Sequence, residues 1–318
     1  MKQQGKRYFC NGHLSQWRLF PVTVQYCSTT IRTEMNAIRI MTITLLMLAG
    51  ILCKAQDPRD GNLRYFEPVL DGEVVYRGPD VVFRKLSEGT WIGSGHVIAS
   101  ETLYLIEGKS RALLIDTGAK IAGLDKIIKS ITDKPVTVVL THVHSDHSGN
   151  VGFFPEVWIN PSEIAVRSNA VSGYEGQVRF LSDRQKFDLG GRTVEVFFAP
   201  GHTQGSTIFL DSSRRTGFSG SSFGSGNLNL LTDFSTFIKT CDSVLSALKK
   251  RKIKILYPGH YYGDNPDTPE RIKEMRSLAK DILSGNVQGV PNTGGSFGLD
   301  IRVSRNGFRI NYSSRSLK

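Results

Sequence analysis

The sequence predicts an α+β protein of two facing mixed β-sheets with helices on their outer sides. Three observations lead there. Two β-rich blocks, residues 81–115 and 192–219, are each followed by segments of helical period, the pattern that layered sheet-and-helix architectures produce. Those helical segments are apolar on one side only, so each covers a single sheet face. No internal repeat or low-complexity linker interrupts residues 60–318, which read as one folded domain.

The chain before residue 56 stands outside that fold. Residues 1–34 have no sustained period and read as an upstream extension, with translation expected to start at Met35. Residues 35–55 have the form of a secretory signal: a short basic start ending at Arg39, an apolar run from Ile40 to Leu52, and Cys53-Lys54-Ala55 as a small-x-small cleavage site. That run is too short to span a bilayer, so no stable membrane span is expected. A lipid on Cys53 is the alternative, disfavoured by the large Leu52 before it. The expectation is an exported chain, periplasmic or secreted.

The elements then follow in order. Val81 to Leu86, Thr102 to Glu107 and Arg111 to Ile115 read as strands, the last two joined by a turn at Gly108-Lys109 and closed by Asp116-Thr117-Gly118. Ile121, Leu124, Ile127, Ile128 and Ile131 keep helical spacing, and Val136 to Leu140 is an apolar, β-branched run that reads as a buried strand. Val157-Trp158-Ile159 is a short strand, Ser162-Glu163 a helix start, and residues 172–185 are less regular. Arg192 to Phe198 alternates, and Ser206 to Leu210 and Thr216 to Ser219 are further strands. A helix begins at Asp233 as N-cap, with Phe234, Phe237, Cys241, Val244 and Leu248 on its apolar side. Ile253 to Tyr257 is a strand, a helix runs from Thr268 as N-cap to Gly285 with Pro269 at its first position, and the tail is a hairpin about Asn306-Gly307.

The chemistry sits after the strand that ends at Leu140. Thr141-His142-Val143-His144-Ser145-Asp146-His147-Ser148-Gly149-Asn150 puts three imidazoles and a carboxylate within six residues. These are the donors that suit zinc, and a loop leaving a rigid strand can aim alternate side chains at one ion and the rest at another. His202, in Pro200-Gly201-His202-Thr203-Gln204-Gly205-Ser206, and His260, in Pro258-Gly259-His260, again stand at strand ends.

Charge and cysteine usage narrow the class. The net charge is +11, but residues 1–55 hold seven Lys/Arg against one acidic residue, and the remainder holds 33 against 28. The folded part therefore has only a mild excess, which argues against nucleic acid as partner and against a nuclease. Three of the four cysteines, Cys10, Cys27 and Cys53, precede residue 56, so Cys241 stands alone and no disulfide framework is expected. Cys241 lies on the apolar side of its helix, as a small hydrophobe rather than a nucleophile.

With these motifs in place the chain resembles the metallo-β-lactamase-fold hydrolases over nearly all of residues 56–318. The resemblance rests on Tyr104-Leu105-Ile106, Leu114 to Gly118, the loop Thr141 to Gly149, Pro200 to Ser206 and Pro258 to His260. It implies a four-layer αβ/βα sandwich and two zinc ions, one bound by His142, His144 and His202 and the other by Asp146, His147 and His260. Water between the ions would attack the carbonyl, with Asp146 placed to accept or relay its proton. Asp116 would orient a ligand or cap the following helix. Where many members place an Asp that bridges the metals, Phe218-Ser219-Gly220-Ser221-Ser222 offers Ser221, which implies a weaker second site. The same serine is found in the metallo-β-lactamase subclass with an Asp-His-His second site. The expected activity is zinc-dependent hydrolysis of a small-molecule carbonyl substrate, β-lactam first, with a lactone or thioester as alternative and a noncatalytic metal-binding member as a further one. His96 is expected to be a surface or core residue, and Gly224 to Asn227 a turn.

Overall fold

The computed structural model describes residue 68 and residues 70–97, 99–165 and 170–318. The expected extension, signal segment and Cys53 lie outside the described residues. The first sheet contains β1 (Val74–Arg77), β2 (Val81–Ser87), β3 (Thr90–Gly95), β4 (Thr102–Glu107), β5 (Ala112–Ile115), β6 (Val136–Val139), β7 (Glu156–Ile159) and β8 (Gln177–Phe180), paired in that order. It is antiparallel from β1 to β5 and parallel from β5 to β8. Helix α1 (Leu124–Ile131) makes the crossover from β5 to β6, and a one-turn helix, α2 (Ser145–Ser148), follows β6.

The second sheet holds β9 (Lys186–Asp188), β10 (Thr193–Phe198), β11 (Thr207–Asp211) and β12 (Thr216–Gly220). Next, β13 (Asn227–Asn229) leaves for a third sheet, and after helix α3 (Phe234–Arg251) the strand β14 (Ile255–Pro258) returns to pair in parallel with β12. Helix α4 (Pro269–Leu283) follows, and β15 (Val290–Pro291), β16 (Ile301–Arg305) and β17 (Phe308–Tyr312) complete the third sheet in the order β13-β17-β16-β15.

Three apolar clusters make these layers. Leu103 and Leu105 of β4 face α1, with Ile121, Leu124 and Ile128 in one cluster. Their neighbours Tyr104 and Ile106 point the other way, to meet Val194, Val196, Phe209 and Phe218 of the second sheet. Phe197, Ile208 and Leu210 turn away from that interface and pack on α3 and α4. The two-residue alternation of a strand thus places one core on each side of each sheet, giving helix, sheet, sheet and helices as successive layers. All the described elements fall within one compact unit, Pro58–Lys318. Among the described residues no helix is long and apolar enough to cross a membrane.

Most of the sequence expectations match. Asp233 caps α3 by accepting from the Thr236 amide at 2.8 Å, Thr268 caps α4 with Pro269 at its start, and Asn306 and Gly307 both take positive φ in the final hairpin. Four differences have local causes. The helix expected from Ile121 begins at Leu124, because left-handed Gly123 precedes it. Ser162-Glu163 starts only a short 3-10 turn, Pro161–Ala165. The irregular stretch 172–185 contains β8, whose mostly exposed residues leave no apolar alternation to read. The third sheet is additional; its strands β13 and β15 are only three and two residues long.

Candidate metal centre

Four strands deliver the centre at their C-terminal ends: β6 leads to His142, β10 to His202, β12 to Ser221 and β14 to His260. His142 and His144 project two residues apart from extended backbone, and the helical turn α2 then swings Asp146 and His147 elsewhere. Two donor groups result: His142, His144 and His202, and Asp146, His147 and His260, in each of which one donor atom per residue lies within 4.8 Å of the others. The rings of His142 and His147, 4.3 Å apart, join them.

Backbone and side-chain acceptors fix the rings. His202 Nδ1 lies 2.8 Å from the Asn229 carbonyl oxygen and His260 Nδ1 3.2 Å from that of Ala99. A carbonyl oxygen only accepts, so each Nδ1 donates and each Nε2 lone pair turns inward. His142 Nδ1 lies 3.2 Å from Thr141 Oγ1, which itself donates to Asp116 Oδ2 at 2.8 Å, so His142 is fixed the same way. Within the first group, His144 Nδ1 lies 3.1 Å from His142 Nε2 and 2.9 Å from His202 Nε2. One proton on His144 serves only one of those two lone pairs. A cation among the three nitrogens serves all of them, and tetrahedral bonds of about 2 Å place donors roughly 3.3 Å apart, close to these separations. The donor set fits a divalent metal.

The second group is charged. His147 is fully buried; its Nδ1 contacts Asp116 Oδ2 at 2.8 Å, and its Nε2 lies 3.5 Å from Asp146 Oδ2, which is 3.3 Å from His260 Nε2. Asp116 Oδ1 also accepts from the Thr141 amide at 2.7 Å, so one carboxylate orients His147 and the start of the loop. Burial opposes ionisation of Asp146, yet the charge of His147 beside it holds its carboxyl well below the usual range. Burial likewise opposes charge on His147, but Asp146 and Asp116 lift it to about 9. In the first group burial dominates: with the neighbouring rings it pushes His202 down to about 3, and it shifts His142 and His144 downward as well.

Ser221 Oγ lies 3.3 Å from His147 Nε2, so a hydroxyl faces the second group where a carboxylate is absent. Gly259 permits this packing, since a Cβ there would meet His147 Cε1 at 2.5 Å. The Gly224–Gly226 segment is a turn, and Ser225 Oγ accepts from the His260 amide at 3.1 Å. His96 contacts the Pro79 carbonyl oxygen and belongs to neither donor group. Cys241 is buried in α3, and burial pushes its thiol up.

The roles of two further residues were not legible in the sequence. Buried Glu163 accepts from the Val143 amide at 3.0 Å and the Gly205 amide at 2.9 Å, tying the loop of His142 to the loop of His202. Its position in an ordinary Pro-Ser-Glu turn gave no sign of that. Phe297, in the loop between β15 and β16, stacks on His144 with centroids 4.9 Å apart and planes at 17°, and its φ is +62°. A bulky residue there costs on the order of 1–3 kcal/mol. The surrounding glycines signalled only a loop.

The metallo-beta-lactamase superfamily model matches residues 100–260. The human acyl-coenzyme A thioesterase MBLAC2 is 25% identical over 202 residues, which cover 50% of this chain and 72% of that protein. The atrochrysone carboxyl ACP thioesterase dmxR1 of Cryptosporiopsis sp. (strain 8999) is 25% identical over 218 residues, 66% of this chain and 62% of that one. Among solved structures, the DIM-1 metallo-beta-lactamase superposes with a TM-score of 0.53 at 17% identity, over 66% of this chain and all of its own. VMB-1 gives 0.53 at 18% with the same coverage. Strands, layers, histidine loop and family match agree: the chain belongs to the metallo-beta-lactamase superfamily.

Proposed function

We propose that the protein is a zinc-dependent hydrolase of activated acyl bonds, with thioesters as its first substrate class. The observation that carries this reading is the pair of donor groups, whose His142, His202 and His260 lone pairs are all turned inward. Zinc ions held there would supply a Lewis acid for the carbonyl oxygen and lower the pKa of water. The chain itself then has to position and move protons. Asp146, with His260 Nε2 at 3.3 Å, is placed to accept or relay a proton from the attacking water. Asp116 holds His147 in one orientation. Cys241 is buried away from either group, consistent with water rather than a thiol as nucleophile.

Thioesters stand ahead of β-lactams because the relatives found by sequence include acyl-coenzyme A and ACP thioesterases beside lactamase-like proteins, whereas the likeness to β-lactamases of known structure is one of fold. The β-lactam reading is kept as second by Ser221, whose hydroxyl replaces a bridging carboxylate. Measuring zinc per chain and assaying an acyl thioester, a lactone and a chromogenic cephalosporin in parallel tests both. Thioester turnover that disappears with chelator and returns with zinc is the expected result. Cephalosporin turnover alone would move the second reading to first place, and zinc-replete protein inert toward all three would favour a noncatalytic role. We also propose export; a mature N-terminus at Gln56 in the extracytoplasmic fraction is its test.

A further inference from the structure

We propose that Phe297 is a specificity-determining residue, the wall against which the apolar part of a substrate packs beside the first donor group. The inference rests on the acyl-hydrolase reading and adds which substrates that site prefers. Phe297 is 55% exposed and belongs to none of the three apolar clusters. One face of its ring covers His144, and its ring meets His202 nearly at right angles, with centroids 6.5 Å apart. A phenyl ring this open gains little from folding, yet the chain holds it in the left-handed region where bulky residues are rare.

The loop around it is built to hold that placement. The Asn292 amide donates to the Asp300 carbonyl at 2.8 Å, its side chain donates to the Leu299 carbonyl at 2.8 Å, and the Gly295 amide returns to the Asn292 carbonyl at 3.1 Å. Gly294 and Gly298, both at positive φ, let the chain turn sharply on either side. An aromatic ring fixed beside metal-ligating nitrogens offers an apolar surface to whatever lies next to the reacting carbonyl. A substrate with an aryl or alkyl group there removes the ring from water; an acetyl group is too small to do so.

The test uses the zinc-loaded full chain and two thiols that ligate zinc, ethanethiol and 2-phenylethanethiol, with binding measured by calorimetry. Phe297→Ala is expected to weaken 2-phenylethanethiol about tenfold and to leave ethanethiol within about twofold, with zinc content unchanged, while Phe297→Leu recovers part of the loss. On acyl thioesters the same variant is expected to raise KM for phenylacetyl more than for acetyl. Equal effects on both thiols, loss of zinc, or no effect on either would overturn the proposal, because each fits a ring that merely supports His144 or does nothing. A chain that turns over no acyl substrate but still shows the thiol difference would refute the hydrolase reading and leave the wall in place.

Discussion

The two donor groups differ in how they are kept ready. His142, His144 and His202 are three buried imidazoles that burial makes neutral, and a single proton on His144 can serve only one of the two lone pairs that face it. Asp146 and His147 carry opposite charges beside His260, and Asp116 adds a further negative charge behind His147. An ion entering the first group meets free electron pairs. An ion entering the second must replace a proton that Asp146 and Asp116 hold on His147. The first group should therefore bind metal tightly and the second more weakly, a difference that the hydroxyl of Ser221 increases.

The largest expected effect is at the first group. Exchanging His142 or His202 for Ala should lower kcat/KM by 10³-fold or more and remove most bound zinc, as atomic absorption and steady-state kinetics would show. His147→Ala should remove about one zinc equivalent and spare the other; loss of both ions would break the proposed independence of the groups. Asp116→Asn should weaken second-group affinity by roughly 10–100-fold, with little change at the first, in competition with a chromophoric chelator. Ser221→Asp should tighten the second group by a smaller factor, and unchanged metal content would contradict the placement of that hydroxyl.

The smallest effect concerns support rather than donors. Behind the first group stands Glu163, and behind the strand that carries Ser221 stands Asp267, which accepts from Ser219 Oγ at 2.7 Å. Burial, only partly offset by Ser219 and Arg271, raises Asp267 from 3.8 to about 7. The folded chain then binds more protons than the unfolded one between those values, so stability falls as pH rises through that window. The slope from this one group is at most about 1.4 kcal/mol per pH unit, and Asp267→Asn should flatten it in urea titrations.

Much of the layout was legible because it follows local rules. The caps Asp233 and Thr268, the Asn306-Gly307 turn and the apolar run of β4 are set within a few residues. The donors were legible because four of them crowd a single loop. Glu163 and Phe297 were not, since what matters about each is a partner far along the chain: Gly205 for the one and His144 for the other. Strand β8 escaped for another reason, as an exposed edge strand carries no apolar alternation.

Each donor group takes members from both sheets: His142, His144, Asp146 and His147 follow β6, while His202 follows β10 and His260 follows β14. A zinc ion in either place would thus be a rivet through the sandwich, joining halves that apolar contact and hydrogen bonds such as Thr207 to Thr141, Thr102 to Gly259, Arg192 to Thr90 and Tyr104 to Pro258 also hold. Removing the rivets should let the halves part at a lower temperature, and the melting point should climb with the logarithm of free zinc, even after both holes are filled.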